Sequence, residues 1–151
     1  MTGRGGVMSL FSRAPAIAAG YLAAVGVASA IVVGPFWIAN PAGAGRWMFL
    51  GIAFVVTAAI TLVPALVAVI HAERRGRRDL AFHLVCGLAA GGLGFVAMLV
   101  FFVAIGGKFV GDGGFFWGAA LVMAAAGSAA GATYWAIAGR RAGAWHMPPE
   151  A

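Results

Sequence analysis

Four long runs of apolar residues, separated by short polar segments, dominate the pattern of this chain. The runs cover residues 15–39, 47–71, 80–105 and 115–138, and none of them contains Asp, Glu, Lys or Arg. A helix needs about 20 such residues to cross the hydrocarbon core of a bilayer. The pattern therefore predicts four transmembrane helices in an all-α polytopic membrane protein.

The segments between the apolar runs are short, with the sequences NPAGAGR, AERRGRRD and GGKFVGDGG. Short connections force neighbouring helices to run in opposite directions. The predicted fold class is therefore an all-α, antiparallel four-helix transmembrane bundle. We expect residues 1–151 to form a single transmembrane domain, as is usual for a chain of this length.

The amino-acid composition excludes an ordinary water-soluble domain. Hydrophobic residues make up 63% of the chain and charged residues 9%, whereas soluble domains have roughly 45–50% and about 25%. A chain of 151 residues has too small an interior to bury so many apolar side chains. The lipid bilayer is therefore the expected partner of the outer surface.

The basic residues are distributed unevenly between the two predicted faces of the bundle. Eight of the ten cations lie on the side of the two termini and the 72–79 loop, and only Arg46 and Lys108 lie on the other side. Because Lys and Arg are enriched on cytoplasmic loops, both termini and this loop are predicted to be cytoplasmic. The residues expected to determine this topology and to contact anionic lipid are Arg74, Arg75, Arg77, Arg78, Arg140 and Arg141.

The loop AERRGRRD allows two further interpretations besides topology and lipid contact. It could be a docking surface for a cytoplasmic partner, or it could bind nucleic acid. The loop is very short and has no interleaved aromatic residue on which a base could stack. We therefore expect no nucleic-acid partner, and we expect Glu73 and Asp79, which flank the arginines, to pair with them.

Small residues at four-residue spacing indicate close helix packing. Such spacing places small side chains on one ridge, so that two helix backbones can approach closely. This pattern is compatible both with packing inside the bundle and with a homo-oligomer interface. The residues predicted to serve it are Gly20 and Ala24 in the first run, Gly87 and Gly91 in the third, and Gly127 and Gly131 in the fourth.

Pro64 lies well inside the second apolar run and predicts a kink in that helix. Proline removes one backbone donor and clashes with the preceding turn. Thr61 and Thr57 lie one and two turns earlier and could bond to the freed carbonyls. The kink is interpreted as a static feature that shapes the bundle, with a hinge or a break lining a pore as the alternative.

Three residues near the arginine loop, His71, His83 and Cys86, are candidates for ligand chemistry. Two histidines on neighbouring helices could ligate haem, and the three together could hold a metal. Metal sites normally need three or four ligands, however, and no carboxylate lies beside these residues in the apolar runs. We therefore predict no metal and no cofactor, and interpret the histidines as interfacial residues with their polar tips towards water.

Two stretches, PALVAVIHAERRGRRD (64–79) and GATYWAIAGRRAGAW (131–145), resemble small, uncharacterised four-span inner-membrane proteins of alphaproteobacteria. In that group the second helix contains a proline and ends in a charged loop, and the fourth ends in Tyr-Trp-x-Ile-Ala-Gly-Arg. The matching residues here are Pro64, Glu73, Tyr134, Trp135, Ile137, Ala138, Gly139 and Arg140. The resemblance implies a bacterial inner-membrane location and assigns no activity and no functional residue.

The leading functional hypothesis is a non-enzymatic accessory or scaffold protein that packs against itself or against another membrane protein. No catalytic residue is predicted, because the apolar runs lack the charged groups that ion coupling places at depth. The alternative is an oligomeric channel or facilitator for small solutes, and a third hypothesis is a haem-binding membrane anchor. The polar residues that could line a pore are Ser29, Thr57, Thr61, Ser128 and Thr133.

Overall fold

The structure, a computed structural model, contains four long helices and no strand among the residues that it describes. It describes residues 4–39, 45–104, 106 and 113–143, with side chains from Arg13 onward in the first segment and from Phe116 onward in the last. The helices are α1 (Arg4–Ala39), α2 (Arg46–Arg75), α3 (Leu80–Ala104) and α4 (Gly113–Ile137), and a short 3-10 turn at Gly139–Arg141 follows α4.

Each helix contains a segment long and apolar enough to cross a membrane, which confirms the prediction of four apolar helices. Two boundaries differ from the prediction by more than two residues. Helix α1 begins at Arg4, so that Pro15 lies in its interior, and α2 continues beyond His71 to Arg75. Ile105, the predicted end of the third run, and Lys108 lie outside the described residues.

The connection between α2 and α3 contains its own stop and start signals. Gly76 takes the left-handed conformation (φ 61°) that ends a helix, and its N–H bonds back to the last turn of α2. Asp79 then caps α3, because its carboxylate accepts a 2.8 Å hydrogen bond from the N–H of Phe82. The loop predicted at 72–79 is therefore shorter and covers only residues 76–79.

Small side chains are buried in this protein and large ones are exposed, the reverse of a water-soluble core. Large hydrophobic residues are exposed on every helix, and no residue in the most apolar 18-residue window of α2 is buried. A hydrocarbon solvent suits such a surface, since helices in lipid associate through close packing of small residues rather than hydrophobic burial. The buried apolar residues are Ala24, Val25, Ala28, Val33, Ala72, Ala126, Ala138 and Ala142.

Glycines determine the contact between α3 and α4. A Cβ added at Gly87 would meet the carbonyl group of Gly127 and would lie 3.0 Å from the Cα of Gly131. A Cβ added at Gly91 would meet the carbonyl group of Met123. Later residues of α3 thus contact earlier residues of α4, and only hydrogen fits between the two backbones.

Helix α1 packs closely against α4, whereas α2 is attached more loosely. A Cβ added at Gly20 of α1 would lie 3.2 Å both from the ring of Tyr134 and from the Cβ of Ala138. The hydroxyl of Tyr21 donates a 2.6 Å hydrogen bond to the carbonyl of Ala58, which joins α1 to α2. Among helices adjacent in sequence, α2 and α3 make the least contact.

Pro64 lies within a continuous α2. Because proline has no N–H, the carbonyl of Ile60 lacks its usual helical partner. The hydroxyl of Thr61 donates at 2.7 Å to the carbonyl of Thr57 and not to that of Ile60. Thr61 therefore does not compensate for the proline, and the kink at Pro64 stays a prediction.

Candidate functional site: a polar cluster and an apolar groove

Hydrogen bonds and an ion pair join the ends of α1, α2 and α4. The guanidinium of Arg13 donates to the carboxylate of Glu73 at 2.9 Å, to the carbonyl of Ala138 at 3.0 Å and to the carbonyl of Arg141. The carbonyls at the end of a helix lack partners and carry partial negative charge. Arg13 therefore pairs with Glu73 and also bonds to two carbonyls that follow the end of α4. We call this group the polar cluster, and it comprises Arg13, Glu73, Arg78, Trp135 and residues 138–143.

Glu73 makes a second contact that brings the end of the described chain back to the α2–α3 connection. Its Oε2 accepts a 2.9 Å hydrogen bond from the N–H of Gly143. Gly143 is left-handed (φ 67°), and a Cβ there would lie 2.7 Å from the Cα of Gly76. The expectation that Glu73 pairs with the loop arginines is wrong: its partner is Arg13, 60 positions earlier, because the start of the apolar part of α1 lies beside the end of α2.

Two of the arginines predicted to determine topology also take part in the polar cluster. The indole Nε1 of Trp135 donates to the carbonyl of Arg78 at 2.7 Å, and Nε of Arg78 donates to the carbonyl of Ala142 at 2.9 Å. The guanidinium of Arg140 lies 4.3 Å from the centre of the Trp135 ring, an arrangement that favours a cation–π interaction. These contacts hold the α2–α3 connection against the end of α4.

Next to the polar cluster, the four helices surround an apolar groove, which we call the α2–α3 groove. It extends along α2 from Ala53 to Val69 and along α3 from His83 to Phe101. At 1.5 Å per residue its length along α2 is about 24 Å. Its volume is about 510 Å³, within the range of about 300–1,000 Å³ typical of ligand pockets. The groove is therefore long, narrow and lined mainly by Ala, Val, Gly and Met.

Few polar groups reach the α2–α3 groove. The polar side chains that line it are Tyr21, Thr57, Thr61, His83 and Tyr134. The hydroxyls of Thr61 and Tyr21 already donate to backbone carbonyls of α2. Of the five residues expected to line a pore, Thr57 and Thr61 are therefore the two found along this groove. Ser29 is fully buried elsewhere, and the hydroxyl of Thr133 donates to a carbonyl within its own helix.

His83 is buried at the end of the groove beside the 76–79 connection, which we call the arginine-rich end. The expectation that its polar tip faces water is therefore wrong. The side chain is 5% exposed, and its Nδ1 lies 2.9 Å from the carbonyl of Asp79. A carbonyl only accepts hydrogen bonds, so Nδ1 is the donor in this bond. Nε2 has no hydrogen-bond partner among the described residues and lies against Gly139, where a Cβ would be 2.8 Å away.

The other two candidate ligands do not complete a site with His83. The ring of His71 is exposed and stacks on Phe82 at 5.7 Å, while Cys86 is half-buried along the groove. Within the described parts of the chain, no group of three or more His, Cys, Asp or Glu residues could hold a metal ion.

The remaining predicted residues fall into two sets. Gly87, Gly91, Gly127 and Gly131 meet in the α3–α4 contact, and Gly20 lies in the α1–α4 contact, with Ala24 buried one turn further along. The predicted topology arginines lie at the end of the bundle that carries the polar cluster, and the exposed ones are Arg74, Arg75, Arg77, Arg140 and Arg141. Sequence reasoning missed the role of Arg13. The opposite charges of Arg13 and Glu73 at one predicted face of the bundle were the available signal.

The fold and the site define a broad class, an all-helical protein with the four apolar helices of a multi-pass membrane protein. Comparison with protein-family models, with curated proteins and with solved structures gives no match. The resemblance to small inner-membrane proteins of alphaproteobacteria therefore stays a prediction.

Proposed function

We propose that this chain is a non-enzymatic accessory or scaffold component of a bacterial inner membrane. In this proposal it forms an antiparallel four-helix bundle with both termini and the 76–79 connection in the cytoplasm. The exposed large hydrophobic residues on all four helices support membrane insertion. The uneven distribution of cations supports the orientation.

The exposure of α2 is the observation that carries the scaffold role. Val63 and Val67 are 67% and 63% exposed and lie one turn apart on the same side of the helix. The glycine contacts pack α3 against α4, whereas no residue in the most apolar window of α2 is buried, the smallest buried share among the four helices. A helix of a second copy, or of another membrane protein, would pack against the exposed surface of α2.

Photo-crosslinking in native membranes tests this role. A photoreactive amino acid at Val63 or Val67 is expected to give one discrete adduct, whose partner is identified by mass spectrometry. The matched control is Leu121 on α4, which is 70% exposed and is expected to give only diffuse lipid adducts. The scaffold role is refuted if Val63 and Val67 behave like Leu121 and the purified chain runs as a monomer.

The α2–α3 groove favours a second function, an oligomeric channel or facilitator for small solutes. Its lining is almost wholly apolar, so it would admit small uncharged solutes and exclude ions, whose desolvation it cannot compensate. Solute flux in proteoliposomes above that of empty vesicles would support this alternative. Equal flux would remove it.

The haem-anchor hypothesis gains no support from the geometry. The Nε2 of His83 lies against Gly139, which leaves no space for an iron atom, and His71 stacks on Phe82. A Soret band in protein purified in mild detergent would restore the hypothesis, and its absence would dispose of it.

A further inference from the structure

The α2–α3 groove suits a hydrocarbon chain in its length and polarity. It extends for about 24 Å along α2 and is lined mainly by Ala, Val, Gly and Met. A single extended acyl chain is slender and as apolar as the groove walls. The groove is therefore suited to a chain-like occupant from a bilayer.

Positive charge lies at the arginine-rich end of this groove. Ala68 lines the groove, and Arg75 follows it by seven residues, which places Arg75 on the same side of α2. Arg74 is adjacent, on the side of α2 that carries Val67, and both arginines are exposed at the end of the helix. Neither forms an ion pair with any residue in the described segments.

The acidic groups described at this end are already engaged and leave this charge uncompensated. Glu73 is held by Arg13 at 2.9 Å. Asp79 caps α3 and lies 3.9 Å from Arg77. An anionic group from outside the chain is therefore the complementary partner for Arg74 and Arg75.

We propose that the α2–α3 groove binds one anionic phospholipid, with an acyl chain along Ala65 and Ala68 and the phosphate at Arg74 and Arg75. Basic pockets beside transmembrane helices on the cytoplasmic side are typical sites for acidic lipid headgroups. The inference rests on the membrane insertion proposed above and is independent of the scaffold role. The test below uses the purified chain, so its failure is distinguishable from failure of crosslinking in membranes.

Native mass spectrometry of the full chain in a neutral detergent measures this binding. The protein is titrated with phosphatidylglycerol and, separately, with phosphatidylcholine carrying the same acyl chains. One phosphatidylglycerol per chain is expected to bind more tightly than phosphatidylcholine. Equal affinity for the two lipids would overturn the proposal.

Filling the groove tests the position of the acyl chain. Ala68→Phe and Ala65→Phe each place a ring where the chain lies, and each is expected to abolish retention of the bound lipid. Ala59→Phe is the matched control, because Ala59 is exposed on the same helix and does not line the groove. Helix content and elution volume identify any variant that fails to fold, and retention of the lipid by both folded groove variants would overturn the site.

Removing the charge tests the position of the headgroup. Each arginine near an anionic lipid contributes about fivefold to affinity, so Arg74→Gln with Arg75→Gln is expected to weaken phosphatidylglycerol binding about 30-fold at low ionic strength. Phosphatidylcholine binding is expected to stay unchanged. The control pair Arg140→Gln with Arg141→Gln removes the same charge at the same end. An equal loss in both pairs would show a general charge effect and overturn the proposed headgroup site.

Discussion

Helices α2 and α3 are both long and apolar, yet they are joined to the rest of the molecule in different ways. Helix α3 meets α4 backbone to backbone through Gly87 and Gly91. Helix α2 has one glycine within its apolar part, Gly51, and nothing lies within 4 Å of the Cβ that Gly51 lacks. Hydropathy therefore predicts which segments cross the bilayer, whereas the positions of small residues determine which of them pack closely.

The α3–α4 contact is expected to be the most sensitive part of the protein. Gly127→Leu would force a side chain into the carbonyl group of Gly87 and separate the helices, at a cost of about 3 kcal/mol. The measurement is the apparent free energy of unfolding when SDS is added to protein in mixed micelles. Gly118→Leu on the same helix is the control, because no atom lies within 4 Å of its added Cβ. Equal stability of the two variants would contradict the packing described.

The ion pair at the polar cluster comes next in expected effect. Arg13→Gln or Glu73→Gln leaves one shielded charge without its partner. We expect each variant to lower the free energy of unfolding by about 2 kcal/mol. This is less than for a fully buried pair, because the two side chains are still 14% and 10% exposed. The double variant is expected to lose less than the sum of the single variants. Arg77→Gln, at an exposed pair, is the control and should change stability by less than about 0.5 kcal/mol. Strict additivity would show that Arg13 and Glu73 do not interact.

The hydrogen bond between α1 and α2 is expected to have a smaller effect. Tyr21→Phe removes the 2.6 Å bond to the carbonyl of Ala58, and hydrogen bonds between helices in membranes contribute about 0.6 kcal/mol on average. Loosening α2 should also speed alkylation of Cys86, which lines the groove. Thr133→Val is the control, since its bond stays within α4. An unchanged alkylation rate in Tyr21→Phe would mean that this bond does not hold α2 in place.

The sequence was sufficient to predict the four apolar helices, because a run of more than 20 uncharged apolar residues has few other structures available to it. It was also sufficient to propose the glycines of α3 and α4 as packing residues. The pairing of Arg13 with Glu73 and the burial of His83 depend on which parts of the helices lie together. The two residues of the ion pair are 60 positions apart in the sequence. Local periodicity carries no information on such neighbours. The groove could not be predicted for the same reason, because residues of all four helices line it.

One substitution made in both helices gives the most discriminating test of the comparison. Gly51→Ala adds a methyl group into open space on α2, and the better helix propensity of alanine should raise stability by about 0.5 kcal/mol. Gly91→Ala makes the same chemical change on α3, where the methyl group would meet the carbonyl of Met123, so it should lower stability by about 1 kcal/mol. Because propensity is common to the two variants, the difference in sign isolates the close contact in the SDS titration. Stabilisation by both substitutions would mean that α3 and α4 can separate slightly without cost, and that the two helices are attached alike.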